Sequence, residues 1–327
     1  MSRDEFHRLN PYLTTARAGV FGLGALFSLS PMATPALALA TGIFLALTLG
    51  NPWPQLTAAL SSRLLQVAVV ALGLGISLDS LVRAGSTGVG ITVLVIAAVF
   101  ALGIQLGRWM SVERDLSMLV TAGTSICGGS AVAAIGPAIG ASREAMSVAL
   151  ATVFVLNAVA LYLFPPIGHL LGLSQHQFGV WAALAIHDTS SVVGAAASYG
   201  PLALEEATIL KLARALWIVP LVLLIPRWRR QPSTAAANPF FAIPWFIGLF
   251  VLAAVARSMA GPGAIGWFDA GARAGRIALV LTLFLIGASL TRVQVRNVGV
   301  RPFLHGLVLW IVVGSATLAA VVMAVAR

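Results

Sequence analysis

The stretch TSICGGSAVAAIG, residues 124–136, places Thr124, Ser125, Cys127, Gly128, Gly129 and Ser130 together inside a long apolar run. Hydroxyls, a thiol and adjacent glycines can supply ligand donors and an unwound backbone. In hydrocarbon such irregular backbone is tolerated only where protein or a water-filled cavity surrounds it. The pattern predicts a helix that ends near Cys127, unwinds over the glycines and restarts with Ser130 as its N-cap. Close packing of neighbouring helices on small residues is the rival reading.

A second polar stretch, AIHDTSSVVGAAASYGP at 185–201, puts His187, Asp188, Thr189, Ser190 and Ser191 in the middle of another apolar run. Ionisable groups at that depth are expensive and suggest function. Adjacent residues diverge by about 100° around a helix, so His187 and Asp188 are not expected to form one pair. Asp188 or Thr189 is expected to cap a second half-helix that stops at the YGP sequence.

Two half-helix N-termini facing one cavity would offer free N–H groups and positive dipole ends to an anion. The hydroxyls of Thr124, Ser125, Ser130, Thr189, Ser190 and Ser191 would complete the shell around it. Lys211, the chain's one lysine, and Arg214 follow in LEEATILKLARALW. They are read either as interfacial residues whose heads snorkel to water or as a cationic wall for the anion. His187 and Asp188 are candidates for coupling to a proton or to sodium, with Asn157 beside them or bonded to a neighbouring helix. No metal spacing appears, and no cofactor is expected. Ser, His and Asp could suggest an intramembrane enzyme. However, His187, Asp188 and Ser190 are too close in sequence for a triad, and no GxSxG or HExxH motif is present.

The elements that must carry these residues are apolar helices. The 327 residues are 59% hydrophobic and 9% charged, against roughly 25% charged in soluble domains. Mean hydropathy is +0.96. An all-α integral membrane protein of one domain, 1–327, is therefore expected. Its eleven candidate spans lie near 15–30, 32–50, 64–82, 87–107, 116–140, 145–164, 178–200, 205–226, 240–258, 275–291 and 303–325. The first is read as a retained helix, with signal cleavage after SLSPMATP as the alternative. One cysteine excludes an intrachain disulfide.

The net charge of +10 comes from basic residues scattered at span ends. That distribution speaks for membrane orientation and against nucleic acid. With the N-terminus inside, twelve arginines fall on the cytoplasmic side and six on the other, and PRWRR at 226–230 is the densest cluster. GISLDSL at 75–81 resembles GASLTRV at 287–293 on helices that would run in opposite directions, as in the inverted repeats of transporters. A second likeness, shifted by 61 residues, pairs Ser130 with Ser191, Val132 with Val193, Glu144 with Glu205 and Pro165 with Pro226. The span count gives these two regions the same direction. Either a span is miscounted between 165 and 186 or they are not an inverted pair.

In GTSICGGSAVAAIGPAI at 123–139, PPIGHLLGLSQHQFGVWAALAIHDTSSVV at 165–193, ALGLGISL at 71–78 and the later FLIGASL, the chain resembles the YeiH family of sulfate exporters. That family lies within a wider group similar to bile acid/sodium symporters. The resemblance implies ten or eleven helices with two discontinuous helices crossing in a core, here 87–226, beside a panel at 32–83 and 240–325. It implies secondary transport of a small anion such as sulfate, sulfite, a sulfonate or a carboxylate, with Ser125, Cys127, Gly128, Gly129 and Ser130 at one crossing and His187 and Asp188 at the other. Asp188–Thr189–Ser190–Ser191 departs from the Glu-initiated, hydroxyl-poor version of that motif. A bacterial inner-membrane location follows, with the bilayer and the anion as partners and a homo-oligomer as the alternative to a monomer. An anion channel is the alternative function.

Overall fold

In the computed structural model, residues 11–228, 245–289 and 299–325 are described. They form fourteen helices, and there is no strand among the described residues. α1 spans Pro11–Ser28, α2 Pro35–Thr48, α3 Pro54–Gly73, α4 Leu78–Trp109, α5 Arg114–Ser125, α6 Gly129–Ala138 and α7 Arg143–Leu170. α8 spans Gln175–Ala185, α9 Thr189–Tyr199, α10 Pro201–Ala215, α11 Ile218–Trp228, α12 Trp245–Met259, α13 Ile265–Ser289 and α14 Val300–Val325. Five helical stretches are long and apolar enough to cross a membrane: Pro54–Gly73, Thr92–Trp109, Arg143–Leu170, Ile265–Ser289 and Val300–Met323. Ala16–Ser28, Pro35–Thr48, Gly129–Ala138 and Trp245–Met259 are shorter apolar helices.

Several boundaries differ from the sequence reading. The expected third span, 64–82, is helix Pro54–Gly73 followed by a break at which Ser77 caps α4 by accepting from Ser80 N–H at 3.2 Å. Its polar first half stays helical because Thr57 and Ser61 donate back to the carbonyls of Trp53 and Ala58. Asp79 lies in the first turn of α4. The expected span 275–291 begins earlier, at Ile265, because Asp269 pairs with Arg257 at 2.7 Å and so the charge does not end the helix. The expected span 205–226 is interrupted at Leu216 and Trp217, between α10 and α11. Residues 229–230, 240–244 and 290–293, named in the sequence reading, lie outside the described residues.

The largest correction concerns the two segments with polar breaks, 116–140 and 178–200, each read as one crossing span. Each is a helical hairpin. Phe178 in α8 and Tyr199 in α9 stack with ring centroids 3.8 Å apart, and Tyr199 Oη donates to the Leu173 carbonyl at 2.6 Å. The end of α9 has therefore returned to the start of α8. In the first pair, a Cβ on Gly123 would lie 3.4 Å from Val132 Cγ2. Nine residues of uninterrupted helix would separate those positions by about 13 Å.

α7 sets the frame for both hairpins. α6 runs back along its first half, Gly136 against Met146 and Gly129 against Leu150 and Phe154, while Gly123 of α5 meets Val153. The mouth of the second hairpin sits at the opposite end of α7, where Gly168 faces Phe178 and Tyr199, and His169 stacks on Tyr199 at 4.2 Å. The two hairpins thus approach from opposite ends of one helix, and their tips meet near its middle. This removes the direction conflict found for the 61-residue likeness, because the two hairpins point oppositely.

α2, α3 and α13 pack through close glycine contacts: Gly42 against the Phe284 carbonyl, Gly287 against the Leu39 carbonyl and Gly275 against Ala68 and Ala71. α14 packs elsewhere than the expected panel. His305 Nε2 lies 2.9 Å from the Gly103 carbonyl of α4, Trp181 Nε1 of α8 donates to the Gly314 carbonyl, and Gly306 meets Val120 and Thr152. Residues 300–325 therefore belong with the hairpins.

Candidate functional site

The first tip is built by glycine. α5 ends at Ser125, two residues before the expected Cys127, and Gly128 takes φ +62° and ψ −121°, a conformation that only glycine adopts without strain. Gly128 is the N-cap of α6, which has no side-chain cap hydrogen bond. This corrects the expected role of Ser130: it lies one position inside the helix and is exposed, with its hydroxyl in reach of Cys127. Cys127 is free and buried.

The second tip is built by Asp188, as the N-cap of α9. Its Oδ2 accepts from Ser191 N–H at 3.2 Å and from the Ser190 hydroxyl. Asn157, from the middle of α7, fixes the approach by accepting from the N–H groups of His187 at 3.0 Å and Asp188 at 3.2 Å. A sequence reading gives Asn157 no such task, because its partners are backbone groups thirty residues away.

The two tips touch. A Cβ on Gly128 would stand 3.3 Å from Asp188 Cα and Cβ. The positive N-terminal ends of α6 and α9 therefore converge, the first with a glycine as its N-cap and the Cys127 sulfur in reach of the Ala131 N–H.

The negative C-terminal ends of α5 and α8 converge as well, and they are covered by the two cations of α10. Arg214 Nε donates to the Ser125 carbonyl at 2.7 Å and Nη2 to Thr124 at 3.2 Å, while Nη1 reaches Leu184 at 2.6 Å and Ala183 at 3.3 Å. Lys211 Nζ donates to the Ile186 carbonyl at 2.7 Å and to Ala183 at 3.4 Å. Lys211 and Arg214 are 0% and 1% exposed, so neither snorkels to an interface. Their donors go to helix ends, and no wall facing open space is formed.

Of the remaining expected residues, Thr189, Ser190 and Ser191 are buried in the first turn of α9, and Ser125 Oγ bonds back to the Ala122 carbonyl. Four buried polar atoms near the tips have no hydrogen-bond partner in the protein: Thr124 Oγ1, Asn157 Nδ2 and both ring nitrogens of His187. Burying such atoms unpaired costs about 1–3 kcal/mol each.

Comparison with known proteins assigns the chain at this point. Residues 15–306 match the family model described as conserved hypothetical protein 698. The chain belongs to that family. Among its conserved hypothetical protein 698 relatives, the UPF0324 membrane protein Bd1437 of Bdellovibrio bacteriovorus is 47% identical over 92% of this chain and 93% of its own length. A UPF0324 membrane protein of Bacteroides thetaiotaomicron is 44% identical over 89% and 87%. UPF0324 membrane protein GSU2818 of Geobacter sulfurreducens is 42% identical over 93% and 96%. The chain is accordingly a multi-pass membrane protein. No solved structure matches it.

Proposed function

We propose that the chain is a secondary transporter of a small anion, sulfate, sulfite or an organic sulfonate or carboxylate, bound where the hairpin tips meet. The observation that carries this reading is the sorting of helix ends. The N-termini of α6 and α9 face each other, while the opposite ends are neutralised by Lys211 and Arg214. An anion placed at the glycine-capped end of α6 finds the N–H groups of its first turn that Cys127 does not take and the exposed Ser130 hydroxyl, with the buried donors of Asn157 and His187 behind.

Asp188 supplies the coupling. Its carboxylate already caps α9 beside that position, so an anion entering there is repelled unless the carboxyl is protonated. Binding of the anion and of a proton are therefore linked, with His187 as a second titratable group at the tip.

Opposed re-entrant hairpins from two related segments, 114–170 and 175–228, are the inverted-repeat design on which alternating access works. On this reading α5–α6 and α8–α9 are re-entrant rather than spanning. Arg143 then moves to the side of Arg108 and Arg114, which strengthens the arginine bias for a cytoplasmic N-terminus in a bacterial inner membrane.

The test is uptake and counterflow of radiolabelled sulfate, sulfite, sulfonates and carboxylates by proteoliposomes under imposed pH and sodium gradients. Saturable counterflow of one oxyanion supports the reading; unsaturable flux makes the protein a channel. Absence of binding and flux for all of these anions removes the proposal.

A further inference from the structure

We infer that Lys211 and Arg214 are built-in replacements for a coupling cation, so that the carbonyl-lined position behind the hairpin tips does not take sodium. The inference rests on the transporter reading above and names which ion that site does not use.

Six backbone carbonyl contacts converge on the two side chains: Thr124 and Ser125 from α5, and Ala183, Leu184 and Ile186 from α8, with Ala183 shared. Unwound carbonyls at half-helix C-termini are the ligands with which broken-helix transporters hold a sodium ion at mid-membrane. Here the same oxygens carry a covalently attached positive charge. Lys211 Nζ at 2.7 Å from Ile186 O leaves no room for a second cation on that oxygen. Besides Arg214, the groups close enough to interact electrostatically with Lys211 are Asp188, Cys127 and His187, all at the tips.

The chemistry divides into two halves. The Arg214 guanidinium, which keeps its charge when buried, holds four of these carbonyl contacts throughout the cycle, and Lys211 Nζ donates to the other two. His187 and Asp188, which follow the Ile186 carbonyl held by Lys211, are left to respond to the anion. Lys211 is thus a positioning residue: it sets the hairpin ends without touching the substrate.

The experiment uses the full chain in detergent, with thermal unfolding measured in sodium, lithium, potassium and choline chlorides at equal ionic strength. Wild type, Lys211→Met and Lys211→Gln are compared. The expected result is a wild-type melting temperature indifferent to the cation, a lower one for the variants in choline, and recovery of most of that loss by sodium or lithium. In proteoliposomes, sodium should then raise the variants' anion affinity on the order of tenfold, an ordinary coupling between linked sites.

A wild type specifically stabilised by sodium, or stoichiometric binding of radiolabelled sodium to it, overturns the inference. So do folded variants that respond alike to all four salts. Should neither variant fold, the wild-type melting and sodium-binding arms decide alone. Failure of every oxyanion to bind or move defeats the transporter reading and leaves the melting comparison standing, so the two failures are distinguishable.

Discussion

Gly128 and Asp188 meet with backbone close to backbone: a single added methyl on Gly128 would lie 3.3 Å from Asp188 Cα and 3.2 Å from Val153 Cγ1. Two hairpins entering from opposite ends of α7 are held together at that point. The glycine is required twice over, by its positive φ and by the approach of the second tip.

Gly128→Ala should therefore cost about 1–3 kcal/mol from backbone strain alone, and more if the tips are pushed apart. The expected outcome is a lower melting temperature together with loss of anion binding. Gly140→Ala serves as the control, because Gly140 also has positive φ but nothing lies within 4 Å of its added Cβ. Equal effects at both positions would mean that contact between the tips contributes nothing.

Arg214 spans the two hairpins with four carbonyl contacts. A hydrogen bond to a charged group contributes about 1.5–3 kcal/mol, so Arg214→Met should destabilise by at least about 3 kcal/mol in chemical unfolding. Arg214→Lys should recover only part of this, since one ammonium cannot reproduce the planar fork that reaches both helix ends. Full recovery by lysine would reduce the contact to charge alone.

Much of this arrangement was legible in the sequence, and the part that was missed has a physical reason. The glycine pair at 128–129 and the HDTSS run announce interrupted helices, and of the two cap candidates, Asp188 and Thr189, it is Asp188 that caps α9. The direction after each break was not legible. Hydropathy records how apolar a segment is, and a hairpin of two ten-residue halves reads the same as one twenty-residue span. The signal that could have found the hairpins was the conflict itself: the likeness between 130 and 191 demanded opposite directions, and a span count without hairpins could not supply them. Lys211 and Arg214 are read from the sequence as snorkelling residues or a cationic wall, and their burial excludes the first. Their partners are carbonyls of helices far away in sequence.

Asn157 is the one side chain of α7 that bonds the second tip, through the N–H groups of His187 and Asp188. Asn157→Leu leaves both donors buried or forced to water, at about 1–3 kcal/mol each. Hydrogen–deuterium exchange should rise at 186–189 and remain unchanged at 126–129. Exchange that rises equally at both tips would show a general loosening of the fold.

Asp188 combines two roles that one substitution can separate. As an N-cap it is replaceable by asparagine, which ranks with aspartate at that position. As a carboxyl beside the convergent N-termini it is not, because an amide neither repels an anion nor binds a proton. Asp188→Asn should keep the melting temperature within about 1 kcal/mol of stability, whereas Asp188→Ala should lose about that much or more with the cap. In proteoliposomes, Asp188→Asn should bind anion in a way that no longer changes with pH and should lose accumulation driven by a pH gradient, while exchange of anion for anion continues. The sign follows from the charge: a carboxylate at Asp188 repels an anion, and the amide of the asparagine variant does not. Wild-type-like pH dependence in a folded Asp188→Asn protein would move the coupling to His187.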